Sequence, residues 1–490
     1  MKRLHPDGYG LAMTRGYLDP PVPIFALATA PGAAALAVIR LGGAGCIEAL
    51  APCFSRPGRL LAAPGHSLVH GMIIDSRDGE LIDEVVVSIF RAPRSPSGED
   101  QAEIACHGSS AVQRRIIACL GLAGLQPALP GEFAFRAFAN GKGDLVKTEA
   151  INELVAAASE GGRVEALKRL GGGLSARLAA MRRGLVGLLA EAEVRLDHAE
   201  EDGSPATLFP YDALVSARDE LGKLAASWQA GRLYREGARV VLAGSTNVGK
   251  SSLFNLLVRE ERAIVSPEPG TTRDWIESGF ELEGVPVRLI DTAGLRSEVG
   301  HVEAQGIDRS RSWVEQSDLV LHVADALVGL TIEDASLLAA RPDALRLWNK
   351  ADARAALPAP EGWLAVSALN GDGIPKLLEA LGTRLAGLVG RCRGAPSAHD
   401  EFIISNPRQR DLLMRATAAL GAALVLIDAT VPGHQGDDST STDEAGCSGQ
   451  WLDAVAVDVR DAADAIGELT GEISSPEVLD AIFSGFCLGK

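Results

Sequence analysis

The sequence predicts a multidomain α/β plus α chain: a mostly parallel sheet with helices on both faces, an α/β segment before it, and helical segments on either side of it. Three patterns predict this. The apolar run Arg239–Ala243 meets a glycine loop at Gly244 and then the helix-like Ser252–Leu257. Further short apolar runs, Val287–Ile290, Leu319–Val323 and Leu345–Trp348, each end in polar residues, as strands of an open α/β sheet do. Leu174, Leu178, Met181, Leu185, Leu188, Ala192 and Leu196 step by four and three, the apolar stripe of one long helix.

The segments follow in order. Residues 1–21 hold Lys2, Arg3, Asp7, Arg15 and Asp19 with no continuous apolar core, so a flexible extension is expected rather than a secretory signal. Residues 22–145 mix apolar runs, Leu36–Ile39 and Glu84–Phe90, with Gly/Pro turns and read as α/β. Residues 146–236 are helical in pattern, 237–385 carry the parallel sheet, and 386–490 turn helical again. Pro432–Gly446 is too polar to pack and is expected to be disordered. Neither helical segment has a rich core alone. They are expected to pack together, with 237–385 inserted between two halves of one helical domain.

Composition narrows the class. A chain of 490 residues suits about three domains, and 47% apolar with 23% charged residues is ordinary globular usage. No run of 18 or more apolar residues occurs, so no transmembrane helix is expected. The 7 cysteines are scattered without a C-x-x-C pair. That supports neither a zinc site nor a disulfide framework, and points to a reduced cytoplasm. The net charge of −17 argues against a broad basic face for nucleic acid, so any RNA contact is local or carried by a partner.

The chemistry sits at the strand ends. Gly244–Ser251 reads G-S-T-N-V-G-K-S, the phosphate-loop pattern. Its glycines let the backbone N–H groups through Asn247, Val248, Gly249 and Ser252 close around phosphate oxygens at a helix N-terminus. Lys250 would reach the β- and γ-phosphates and Ser251 would hold Mg2+. Downstream, Asp291, Thr292, Ala293 and Gly294 offer a strand-end carboxylate for Mg2+ and a backbone N–H for the γ-phosphate. In Asn349-Lys350-Ala351-Asp352 the Asp352 carboxylate can accept two N–H groups of a guanine edge, which adenine cannot offer. Ser367 and Ala368 would contact the guanine oxygen. A switch threonine is Thr271 or Thr272. In order and spacing the set resembles that of GTPases. Leu295, after Gly294, cannot orient water, so another group must; Glu298 and Glu303 lie downstream. Asn247 suits either a turn that needs positive φ or a ligand for a monovalent cation.

Beyond these motifs the chain resembles the MnmE (TrmE) family of tRNA-modification GTPases, over nearly everything after residue 22. The marks are Arg91–Ser95, Gly98–Asp100, Glu103–Gly108, Pro130–Phe133, Arg136–Lys142, Asp144-Leu145, Gly467–Glu472 and the C-x-G-K ending at Cys487–Lys490. The resemblance implies an N-terminal α/β folate-binding-like dimerisation domain, a helical domain built from two chain segments, and an inserted Ras-like P-loop GTPase domain. It places 5-formyltetrahydrofolate or a related folate on Arg40, Glu103, Lys142 and Lys490. A carboxylate such as Glu103 can accept from a pterin edge, and Arg or Lys suits the anionic tail. It implies K+-dependent pairing of GTPase domains in a homodimer, with K+ on Asn247, Ser266, Glu268 and Thr271, and Mg2+ on Ser251 and Thr272. Glu303 would orient the water, Arg273 is the switch arginine, and Cys487 either works near the folate or is a packed small residue. It further implies a flavoprotein partner, MnmG (GidA), in a heterotetramer, and tRNA wobble uridine as substrate, with tRNA held mainly by the partner.

Departures bear on these expectations. Ala30–Ala37 lacks the glycines and arginine usual in the family's first loop, Pro96 replaces the usual Tyr, and Ser266 the usual Thr of the K+ loop, which also carries Pro267 and Pro269. The first departure bears on a turn or a folate-proximal contact, and the changes in the K+ loop predict a somewhat altered K+ response. A second reading is a GTP-dependent switch or assembly factor without one-carbon chemistry; the N-terminal motifs and the C-x-G-K ending favour the first.

Overall fold

The computed structural model describes residues 16–197, 210–260, 277–291, 312–393, 402–430, 450–486 and 489. The chain divides into two compact units, Met1–Asn152 with Thr470–Lys490, and Glu153–Leu469.

In the first unit the strands β1 (Ile24–Leu27), β2 (Leu36–Gly42), β3 (Ser67–Ile74), β4 (Leu81–Phe90), β5 (Gln101–His107) and β6 (Gln126–Pro127) form one sheet in the order β3-β4-β5-β2-β1-β6. Only the β1–β6 pairing is parallel. Alternation decides which face is which. Ile39, Leu41, Val85, Val87, Ile89, Ala102 and Ile104 are buried under α1 (Cys46–Leu50), α2 (Pro57–Ala62) and α3 (Ser110–Leu122). The residues between them, Arg40 and Glu103 among them, point to the other face. There α4 (Glu132–Ala139) brings Phe133 so close to Gly42 that a Cβ would sit 2.9 Å from its ring. The helix α5 (Leu145–Ala156) starts in this unit.

The chain's end belongs to this unit. Composition placed residues 470–490 with the second helical segment; contacts group them with residues 1–152. The cause is aromatic. Phe483, fully buried, packs on Phe135, Phe138 and Phe486, with ring centroids 5.3 Å from Phe135. Tyr17 joins the cluster, 5.4 Å from Phe135, and donates its hydroxyl to the Pro130 carbonyl. The flexible extension expected over 1–21 therefore ends short of Tyr17; residues 1–15 lie outside the described residues.

The second unit holds the helices α6 (Glu160–Leu170), α7 (Gly173–Asp197), α8 (Tyr211–Ala226) and α9 (Trp228–Glu236) ahead of its sheet. On α7 the buried line runs Leu174, Leu178, Leu185, Leu189 and Ala192, with Leu188 only half-buried. Met181 is half-buried too, and Leu189 rather than Leu188 carries the buried face at its turn. Strands β7 (Ala238–Ala243), β8 (Glu277–Leu282), β9 (Val285–Asp291), β10 (Leu319–Asp325), β11 (Leu345–Asn349) and β12 (Leu364–Ala365) order as β12-β11-β10-β7-β9-β8. All pairings are parallel except β8–β9. β10 is buried along its whole length, the mark of a central strand covered on both faces. The helices α10 (Lys250–Glu260), α11 (Ile332–Ala340) and α12 (Ile374–Arg393) complete this part.

After it come α13 (Pro407–Thr430) and α14 (Gln450–Thr470); α15 (Pro476–Ser484) belongs to the first unit. The two helical segments do pack together. α13 lies against α8, burying Leu413, Leu420, Leu424 and Ile427 opposite Leu214, Leu221 and Leu224. Arg182 on α7 donates to the Ala463 carbonyl on α14 at 3.2 Å. By length and composition alone α13 could cross a membrane, although Arg415 and Asp428 interrupt its apolar run. Residues 431–449, including the stretch expected to be disordered, lie outside the described residues.

Candidate functional site

The phosphate loop is built by close approach. Gly244, at φ +141°, leaves β7 with its Cα so near Val323 that a Cβ would lie 2.1 Å from the Val323 carbonyl oxygen. Only glycine fits there. Asn247 takes φ +62°, the left-handed conformation its side chain tolerates, and stands exposed at the loop's tip. Lys250, buried at the start of α10, folds back to donate to the carbonyls of Gly244 (2.9 Å) and Ser245 (2.6 Å). The Ser251 hydroxyl donates to Asp291 Oδ2 at 2.5 Å. Two hard oxygens, one from the first turn of α10 and one from the end of β9, thus meet where a Mg2+ ion is expected.

The base side is tied to the phosphate side by one residue. Asn349 is 1% exposed. Its Nδ2 donates to the Val248 carbonyl at 2.7 Å, and its Oδ1 accepts from the Ala368 N–H at 3.1 Å. Lys350, at φ +66°, donates to the Asn247 carbonyl (2.9 Å) and to Asp325 Oδ2 (2.6 Å). The Ser367 hydroxyl oxygen, buried, accepts from the N–H groups of Leu369 and Asn370 and shapes the following turn. Asp352, two residues after Lys350, is exposed. The structure therefore brings Asn247, Val248, Gly249, Lys250, Ser251, Asp291, Asn349, Lys350, Ser367 and Ala368 to the same edge of the sheet, with Ser252 on the first turn of α10.

Sequence reasoning missed Asp325, which holds Lys350. The apolar run ended at Val323, and an Asp two residues on carried no signal of pairing with Lys350. It also missed the brace on the loop's other side, where the Ser245 hydroxyl donates to Glu333 at 3.2 Å on α11, a helix capped by Thr331 and Asp334. Beneath that cap His322 is fully buried. Its Nε2 lies 3.1 Å from Asp334 Oδ1, yet neither atom makes an aligned hydrogen bond. The contact is therefore weak, and burial pushes His322 below the ordinary imidazole range.

The first unit gathers a second polar cluster. Arg40 and Glu103 are cross-strand partners on β2 and β5, and Arg40 Nε donates to Glu103 Oε1 at 2.9 Å. The Arg40 guanidinium also donates to the Gly489 carbonyl at 2.8 Å and lies 5.7 Å from the Phe133 ring centre. Gly489 needs its φ of +84°: a Cβ there would meet the Leu27 carbonyl oxygen at 2.6 Å. So the glycine of the C-x-G-K ending seats the tail on Arg40. Lys142 is held elsewhere, donating to the Pro93 carbonyl. Other motif residues are structural: Asp100 pairs with Arg91 at 2.9 Å, and buried Arg136 is clamped by Glu132 (2.7 Å) and Glu99 (3.1 Å). Ser266, Glu268, Thr271, Thr272, Arg273, Thr292, Ala293, Gly294, Glu303, Cys487 and Lys490 lie outside the described residues.

With both sites in view, the chain can be set beside known proteins. Residues 145–487 match the model of the MnmE helical domain, and residues 23–142 that of the GTP-binding protein TrmE N-terminus. The tRNA modification GTPase MnmE of Treponema denticola is 35% identical over 96% of this chain and 98% of its own. That of Parasynechococcus marenigrum is 41% identical over 95% and 98%. The chain belongs to the MnmE family of tRNA modification GTPases. Among solved structures, an Aquifex aeolicus Era variant bound to GDP and AlF4− is 21% identical over 40% of this chain and 68% of that one, with a TM-score of 0.24, too low to bear on the fold. Membership accounts for the phosphate loop and the Asn349 tie: this MnmE-family chain is a GTPase.

Proposed function

We propose that this GTPase works in the modification of C5 of the tRNA wobble uridine, adding an aminomethyl or carboxymethylaminomethyl group with a folate one-carbon donor and a flavoprotein partner, MnmG, in the cytoplasm. The observation that carries the guanine-nucleotide half is the Asn349 tie, which joins the Val248 carbonyl of the phosphate loop to the Ala368 amide of the base loop. Asp352 accepts two guanine N–H groups, and Lys250 leaves its own loop carbonyls for the β- and γ-phosphates. Water attacks the γ-phosphorus, the bond to the β-phosphate oxygen breaks, and GDP and phosphate leave.

Ser251 and Thr272 would hold Mg2+, and Asn247, Ser266, Glu268 and Thr271 would hold K+, whose positive charge would offset the negative charge developing on the phosphates. Glu303 orients the water and Arg273 acts at the switch. Arg40 and Glu103 would hold the folate, Lys490 and Lys142, on leaving the Pro93 carbonyl, would suit its anionic tail, and Cys487 would act near it. In support, Arg40 and Glu103 lie on the sheet's second face, partly exposed, beside the flat ring of Phe133 that a heterocycle can share. The chain acts as a homodimer, with tRNA held mainly by the partner.

The test uses cells lacking their own member of this family. Their tRNA nucleosides are analysed by mass spectrometry after expression of the full chain or its Glu103→Gln variant. Restored wobble-uridine modification by the full chain, lost in Glu103→Gln, is expected. No restoration by the full chain would favour the switch reading instead.

A further inference from the structure

Cys53 ends a 3-10 turn (Ala51–Cys53), and Cys119 lies 66 residues further on, in α3. Their sulfurs are 2.8 Å apart, both side chains are buried, and both are free thiols. A disulfide needs its sulfurs ~2.05 Å apart, so closure asks for a movement of ~0.8 Å, a scale that side-chain rotation supplies. We propose that Cys53 and Cys119 form an oxidisable dithiol, a modification site within the first unit that a peroxide converts to an internal disulfide.

The other described thiols lack this arrangement. Cys46 lies against the Asp100 carbonyl and Cys106 against that of Ala37, and burial raises them to about 12 and about 11. Cys53 and Cys119 are instead hydrogen-bonded to one another. The Cys119 thiol donates to the Cys53 sulfur; once Cys119 ionises, Cys53 donates to it instead, which with the Ser76 amide lowers Cys119 to about 7 and pushes Cys53 far up. Cys119 thus supplies the thiolate, the form that reacts. Its sulfur lies 3.4 Å from the Ile74 carbonyl, at the root of the exposed turn Ser76–Glu80. A small oxidant has that turn to cross.

The steps balance. The Cys119 thiolate attacks one peroxide oxygen, the O–O bond breaks, and a sulfenic acid and hydroxide result. The Cys53 sulfur then attacks the Cys119 sulfur, the S–O bond breaks, and water leaves with the Cys53 proton. The dithiol gives up two electrons and two protons, and the peroxide becomes water. The bridge staples α3 to the turn that leads into α2.

The experiment treats the full chain with hydrogen peroxide, alkylates it under denaturing conditions, digests it and maps the peptides. Expected are a reductant-sensitive Cys53–Cys119 peptide pair, free Cys46 and Cys106, and a thermal midpoint raised by several degrees. In Cys53→Ser a sulfenic-acid trap is expected to label Cys119. Free thiols at both positions, or pairing of either with another cysteine, would overturn the proposal. The mapping in the unsubstituted chain decides it even where a variant fails to fold.

Discussion

Replacing Asn349 by alanine removes two hydrogen bonds at once. The Val248 carbonyl loses its donor at 2.7 Å and the Ala368 amide its acceptor at 3.1 Å, at a site 1% exposed. An orphaned buried backbone group costs about 1–3 kcal/mol. Ala368 is half-buried, so water recovers part of its share, leaving a total of about 2–4 kcal/mol. That cost falls on the arrangement that holds phosphate and base loops together, not on the rest of the sheet. At 1.4 kcal/mol per decade it weakens guanine-nucleotide binding by roughly 30- to 1,000-fold. Asn349→Asp sharpens the test: it keeps the acceptor but sets a carboxylate oxygen against the Val248 carbonyl. The assay is displacement of a fluorescent GDP, with circular dichroism to confirm folding. Affinities within about threefold of the unsubstituted chain for both folded variants would refute the reasoning.

Gly249→Ala should abolish nucleotide binding in the same assay, because its Cβ would lie 2.3 Å from Asn349 Nδ2 at a φ of +96°. Phe483→Ala should destabilise the first unit by about 3–5 kcal/mol, seen as a lower denaturant midpoint with the second unit's transition unmoved. His322 predicts a pH dependence. Its folded pKa is depressed, so the unfolded chain binds the proton first as pH falls. The stability it contributes is therefore full above the ordinary imidazole range and lost below it. Denaturant midpoints should drop between about pH 7.5 and about pH 5.5 by more in the unsubstituted chain than in His322→Gln; equal drops would show that His322 is not the cause.

Much of this was legible because it rests on local rules. The strand–glycine loop–helix at Arg239–Leu257 and the strand ends at Asp291, Asn349 and Ser367 are short-range patterns, and the sheet places them on one edge as its topology demands. What escaped depends on distant pairing. Cys53 and Cys119 share no spacing motif, and only the packing of α3 joins them. Residues 470–490 look like more of the helical segment until Phe483 meets Phe135. The bond from the Lys142 ammonium to the Pro93 carbonyl, 49 residues away, likewise has no sequence mark. Gly489 read as part of a terminal signature; its carbonyl bond to Arg40 needed the strand register of β1 and β2 to appear.

The most direct test of the central claim is GTP turnover by the purified full chain in KCl against NaCl, with light scattering in GDP plus aluminium fluoride. The account predicts strong stimulation by K+, loss of that stimulation in Asn247→Ala, and a K+-dependent shift to the paired form. Slow turnover indifferent to the cation, with no change in mass, would contradict it.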